Sequence, residues 1–172
     1  LLTNSFKAPD YHLLSNITIP FEGGTTQIDH ILVSTRGIFV LETKHYSGWI
    51  YADEKNPRWT QVIYRIKNRF ANPVFQNYRH VKAIRSLLDF VPKEHIHPLV
   101  VFTGKAVFKT YKPDDVVYLA RLKERIGQFN KDTLTQQDQQ LAVGRLECKR
   151  YEISKQTDIE HIAYLNKKYG RN

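Results

Sequence analysis

Residues 27–44, QIDHILVSTRGIFVLETK, constrain the fold more than any other stretch of this chain. Ile31-Leu32-Val33 and Ile38-Phe39-Val40-Leu41 are runs of β-formers. Ser34-Thr35-Arg36-Gly37 between them is turn chemistry, with Gly37 able to take φ > 0. A turn centred on Thr35-Arg36 sets residue 33 opposite 38, 31 opposite 40 and 29 opposite 42. Asp29 then faces Glu42, and Lys44 shares the face of Glu42 because side chains alternate along a strand. Directly opposed Cβ atoms are roughly 4.5–5.5 Å apart, so the open end of the hairpin gathers two carboxylates and an amine. Ile31, Val33, Ile38 and Val40 make one face apolar, and Leu32, Phe39 and Leu41 do the same for the other. A hairpin covered on both sides is a central sheet element. Two opposed carboxylates at its end need an offsetting partner. A divalent cation supplies one, and so does a structural salt-bridged trio with Lys44; spacing leaves both open.

The rest of the chain reads as mixed α/β. Strands are expected at 12–19, where Pro20 stops the run, at 49–51, and at 59–66, the last two pairing as a second hairpin. Residues 1–10 read as loop. Pro73 opens a helix that runs to about Phe90, with Val74, Tyr78, Val81, Ile84 and Leu88 at helical spacing and Arg85 as the polar exception. Gln76, Arg79, His80 and Lys82 fall on its other side, and Pro92 ends it. The apolar run 98–103 reads as a buried strand, with short strands at 106–109 and 116–119. Helices are expected from 121 to 129, 135 to 146 and 157 to 169. The expected division is a domain over 1–126 and a helical C-terminal extension over 127–172 packed on it.

Charge narrows the partners. Lys and Arg number 26 against 17 Asp and Glu, a net charge of +9, which favours a polyanion. No apolar run is long enough for a transmembrane helix, and the single Cys148 excludes an intramolecular disulfide framework and fits a reducing cytoplasm. A cytoplasmic protein without a membrane partner is expected. There is no P-loop, no G-x-G-x-x-G after a strand and no G-x-S-x-G. His95-x-His97 with Glu94 lacks further ligands at zinc spacing and reads as structural. His30 and His45 alternate away from the acidic cluster. Trp49, Trp59 and Tyr64 read as core or sheet-face residues, with base stacking as the alternative.

Taken together, GGTTQIDHILVSTRGIFVLETKHYSGWIY, WTQVIY, NPVFQNYRHVKAI and VVFTG, in that order, resemble the nuclease-related domain (NERD) family of the PD-(D/E)xK nuclease superfamily, over roughly residues 11–120. The resemblance implies a restriction-endonuclease-like fold, a mixed sheet flanked by helices, and hydrolysis of phosphodiester bonds with Mg²⁺, or Mn²⁺ in its place. DNA is the implied substrate, with RNA as the other polymer. Asp29 and Glu42 would be metal ligands, Lys44 the catalytic lysine and Gln76 a further polar site residue. The Thr43 carbonyl offers a third ligand oxygen. Arg65, Lys67, Arg69, Arg79, Lys82 and Arg85 could hold a nucleic-acid backbone, with a solvated surface as the plain alternative. The chain departs from the family at its front. The family's first helix carries another Glu beside the metal, whereas no helix is expected before Tyr11 and Glu22 falls in a turn. Three functions are therefore weighed: a metal-dependent nuclease, a catalytically inactive nucleic-acid-binding module of the same fold, and a domain tethering a partner through its C-terminal helices.

Overall fold

The computed structural model describes residues 6, 9–151, 159 and 161–166. In chain order its strands are β1 (Tyr11–Phe21), β2 (Gly24–Ser34), β3 (Gly37–Lys44), β4 (Gly48–Tyr51), β5 (Arg58–Ile63), β6 (Ile66–Ala71), β7 (Ile96–Phe102), β8 (Ala106–Phe108) and β9 (Val116–Tyr118). The helices are α1 (Pro73–Leu87), α2 (Leu122–Gly127) and α3 (Gln136–Lys149). Residue 159 and residues 161–166 are also helical, and the rest of the helix expected over 157–169 lies outside the described residues. So does most of the loop expected over 1–10. Among the described residues no helix is long and apolar enough to cross a membrane.

The strands form two sheets. The first has the order β1-β2-β3-β7-β9, with β1, β2 and β3 antiparallel and β7 parallel to both β3 and β9. The parallel step follows from the crossover: α1 carries the chain back so that β7 enters in the same sense as β3. The second sheet has the order β6-β5-β4-β8. This is the mixed α/β, restriction-endonuclease-like arrangement. The expected single strand over 59–66 is two, because Tyr64-Arg65 turns the chain and Ile63 pairs with Ile66. Nothing in that dipeptide is ordinary turn chemistry, which is why the break was not expected.

Burial explains the layers. Ile31, Val33, Ile38 and Val40 pack under α1 and α3 with Val81, Ile84, Ala142 and Leu146. On the opposite face Leu32, Phe39 and Leu41 pack with Leu99, Val101 and α2 residues Leu122 and Ile126. A third cluster, Ile50, Trp59, Val100, Phe102 and Val116, joins the second sheet to the β7–β9 edge of the first. The helices start where their caps say. Asn72 accepts from Val74 N at 2.9 Å ahead of Pro73. Thr135 and Asp138 form a reciprocal capping box at α3.

One irregularity in the first sheet bears on the site. On β1, Leu14 and Ile17 belong to the same core cluster, and on β2 so do Ile28 and Ile31. Strict alternation would put each of these pairs on opposite faces. The two strands change face together at Asn16 and Asp29, the one position skipped between Ser15↔His30 and Ile17↔Ile28. Asn16 supplies the kink with φ 52°, a left-handed conformation that Asn tolerates. Below the kink Thr26 and Ile28 turn toward α1, and Asp29 is released from the ladder.

Candidate active site

Strand β3 ends in Glu42-Thr43-Lys44. Glu42 is only 2% exposed. A carboxylate so placed is costly unless paired and hydrogen-bonded, and each of its oxygens has a partner. Lys44 Nζ lies 2.5 Å from Oε1 and His80 Nε2 lies 3.1 Å from Oε2. A carboxylate only accepts, so His80 donates from Nε2. Its Nδ1 is 2.8 Å from the Thr26 hydroxyl, which the β1–β2 kink has turned inward. On the other side Lys44 Nζ donates to Gln76 Oε1 at 3.0 Å. The result is a continuous polar line, Thr26–His80–Glu42–Lys44–Gln76, drawn from two strands and one helix.

Helix α1 sets this geometry. Gln76 and His80 are four residues apart and so lie on one face. Between them Asn77 is fully buried, and its Nδ2 donates to Val40 O at 2.9 Å and to Leu99 O at 3.1 Å. Val40 stands opposite Pro98, which has no N–H to give, and the Asn77 amide supplies a donor there.

The hairpin register is as expected for 33↔38 and 31↔40, but the ladder ends at His30↔Leu41. Asp29 therefore does not form a ladder pair with Glu42. Its Oδ2 accepts from both Thr43 N and Thr43 Oγ1, each at 2.6 Å. Asp29 is thus tied to the residue between Glu42 and Lys44. The donor set suits a hard cation: the acidic side chains are oxygen ligands, and Mg²⁺ takes one or two carboxylates while keeping several waters. Among the described residues no three His, Cys, Asp or Glu side chains converge as a metal cluster. Asp29, Glu42 and the Thr43 carbonyl supply the oxygens that could hold such an ion, and the contact it would compete with at Glu42 is that of Lys44.

Other residues singled out from the sequence are placed elsewhere. His30 bonds Ser15 Oγ at 2.8 Å, and burial lowers its pKa against the opposing pull of Asp29. His45 meets Thr103 Oγ1 at 3.1 Å. His97 lies against Phe129, with ring centroids 4.2 Å apart, and its pKa is pushed down to about 4 by burial, then by His95, Arg125 and Arg85. Arg65, Lys67 and Arg69 are exposed on the β5–β6 hairpin. Lys82 is exposed on α1 with Nζ 5.0 Å over the Tyr78 ring, Arg79 is half-buried on the same helix, and Arg85 donates to Lys93 O at 3.0 Å. The sequence reading missed His80, which it set on the polar side of α1. The available signal was its spacing of one turn from Gln76.

The chain matches the model of the nuclease-related domain family over residues 2–103. A Bacillus anthracis protein described as uncharacterized is 37% identical over 166 residues, which covers 94% of this chain and 77% of that protein. No solved structure matches the chain. More than half of the sequence lies inside the family match, including the Glu42-Thr43-Lys44 strand end and Gln76, and the chain belongs to the nuclease-related domain family.

Proposed function

We propose that this protein is a metal-dependent nuclease that hydrolyses phosphodiester bonds of DNA, with Asp29, Glu42, Lys44 and Gln76 as its working residues. The observation that carries the reading is the position of Lys44. Its ammonium sits at the rim of a buried carboxylate, 2.5 Å from Glu42 and 3.0 Å from Gln76, inside the segment shared with the family. Asp29 and Glu42 would hold a divalent ion, which would supply Lewis acidity when bound. The chain's own groups do the rest. Lys44 places a positive charge where negative charge grows on the phosphoryl oxygens, an interaction felt mainly in the transition state. Gln76 holds the ammonium in place through its carbonyl oxygen. His80 fixes one oxygen of Glu42, which leaves the other free to exchange Lys44 for a cation. Arg79 and Lys82 on α1, and Arg65, Lys67 and Arg69 on the β5–β6 hairpin, supply backbone affinity without reading sequence.

The test is cleavage of supercoiled and single-stranded DNA with Mg²⁺ or Mn²⁺, together with calorimetric titration of the ion. Wild type should bind the ion and cut. Glu42→Ala should lose both, and Lys44→Ala should lose cleavage while keeping the ion. DNA binding without cleavage under any divalent ion would leave only the inactive-module reading. RNA in the same assay decides between the two polymers.

A further inference from the structure

The second sheet turns one face to the protein and leaves the other open. Ile50, Trp59, Gln61 and Ala106 are buried on the inner side. Pairing fixes what the outer side presents. Trp49 stands between Val107 of β8 and Val62 of β5, and Val62 stands beside Lys67 of β6. Two residues along, Tyr51 pairs with Thr60 and Thr60 with Arg69. Trp49 is 47% exposed, and Tyr51 and Val107 are exposed beside it. Lys109 Nζ lies 4.6 Å over the Trp49 ring. The four strands contain no acidic residue; Asp53 and Glu54 lie in the loop beyond β4.

The tip of this sheet is unusual in the same sense. The two-residue turn between β5 and β6 begins with Tyr64 at φ 56°, a position that such turns normally give to Gly or Asn. Tyr64 is 96% exposed, so no packing offsets the strain. Ile66 and Arg65 are exposed next to it. Aromatic surface set among cations, on strands without an acidic residue, suits a polyanion whose bases are unpaired, because a duplex hides the faces that could stack.

We propose that the outer face of the β6-β5-β4-β8 sheet is a stacking platform for single-stranded nucleic acid, with Trp49 and Tyr51 taking bases and Lys67, Arg69 and Lys109 taking phosphates. The proposal rests on the nuclease reading for its purpose and names the strand state of that enzyme's substrate. The chain path joins the two surfaces. Strand β4 starts four residues after Lys44, and β6 ends five residues before Gln76. Four extended residues span at most about 14 Å, so the start of β4 lies within that reach of Lys44.

Two tryptophans make the test direct, since Trp49 is open and Trp59 is buried. Wild-type protein in EDTA is titrated with oligo(dT) of about 16 nucleotides and with a duplex of the same length. Oligo(dT) should quench the tryptophan emission, and Trp49→Phe should abolish the quench while Trp59 emission reports an intact fold. Trp49→Ala should weaken oligo(dT) binding roughly tenfold and duplex binding by less than about twofold. Lys67→Ala with Arg69→Ala should flatten the salt dependence of binding. The platform is overturned by an absent quench, by an unchanged oligo(dT) affinity in Trp49→Ala, or by equal losses for both nucleic acids. A wild-type dimer that Trp49→Ala dissolves in sedimentation overturns it too, by giving the face to a second copy. Quenching in EDTA with no cleavage under any divalent ion removes the nuclease reading and keeps the platform. Cleavage with no quench does the reverse.

Discussion

The two sheets treat their side chains in opposite ways. In β3, Gly37 to Glu42 are all buried, and alternation is invisible because both faces are covered. In β4, Trp49 is exposed, Ile50 buried and Tyr51 exposed, as a sheet with one wet face demands. The first sheet holds a charged group inside an apolar frame and can keep it there only by giving every oxygen of Glu42 a partner. The second carries its cations on the surface, where none needs a fixed partner. A residue in the first sheet therefore answers to packing and hydrogen bonding, and one on the outer face of the second answers to whatever binds it.

Stability measurements put this contrast under most strain. Phe39, wholly buried in the sheet against Phe129, should cost about 3–5 kcal/mol as Phe39→Ala, seen as a fall in Tm of about 6–20 °C. Trp49→Ala should cost under about 1 kcal/mol, most of it the Lys109 contact; a loss equal to that of Phe39→Ala would erase the distinction. Next in size is chemistry: Lys44→Ala should lower the cleavage rate by about 10²–10³-fold, roughly 3–4 kcal/mol, and should lower Tm as well, because it leaves the buried Glu42 Oε1 without its partner. His80→Ala leaves Glu42 Oε2 and the Thr26 hydroxyl without their shared partner. It should cost about 1–3 kcal/mol in chemical denaturation, and an unchanged midpoint would mean the polar line is not held as described. The smallest effect is a pH slope. The pKa of His97 is about 4 in the fold against the ordinary 6.5. Below pH 6.5 the unfolded chain takes up a proton that the folded one refuses, so stability declines as pH falls and this contribution is gone by about pH 4. His97 is only part-buried, and screening holds the loss to on the order of 1 kcal/mol. A Tm profile across that window should be shallower in His97→Phe than in wild type.

The hairpin was legible because its turn, its β-formers and its register agree, and 33↔38 and 31↔40 pair accordingly. The Glu42–Lys44 contact was legible from alternation alone. Gln76 came through family resemblance, and the structure sets its Oε1 3.0 Å from Lys44 Nζ. What stayed hidden depends on long-range geometry. Asp29 turns to Thr43 because the β1–β2 pair changes face at Asn16, and the serine and asparagine that break the apolar run there were the only sign. His80 was counted with the polar side of its helix because a pattern of polar and apolar residues does not distinguish solvent from a buried carboxylate. The turn at Tyr64-Arg65 was unreadable because its residues violate the local rule they serve.

Asn77 has a consequence for how the protein tolerates change. Its amide touches carbonyls of two neighbouring parallel strands at once, so it sets both the height and the rotation of α1 over the sheet. A slip of one turn would move every helix side chain about 5.4 Å, taking Gln76 from Lys44 and His80 from Glu42 together. The two contacts cannot drift independently, since one fixed point governs both. Substitutions on the outer surface of α1 are therefore free to vary without shifting this alignment, which is inherited from a residue whose own hydrogen bonds go to Val40 and Leu99.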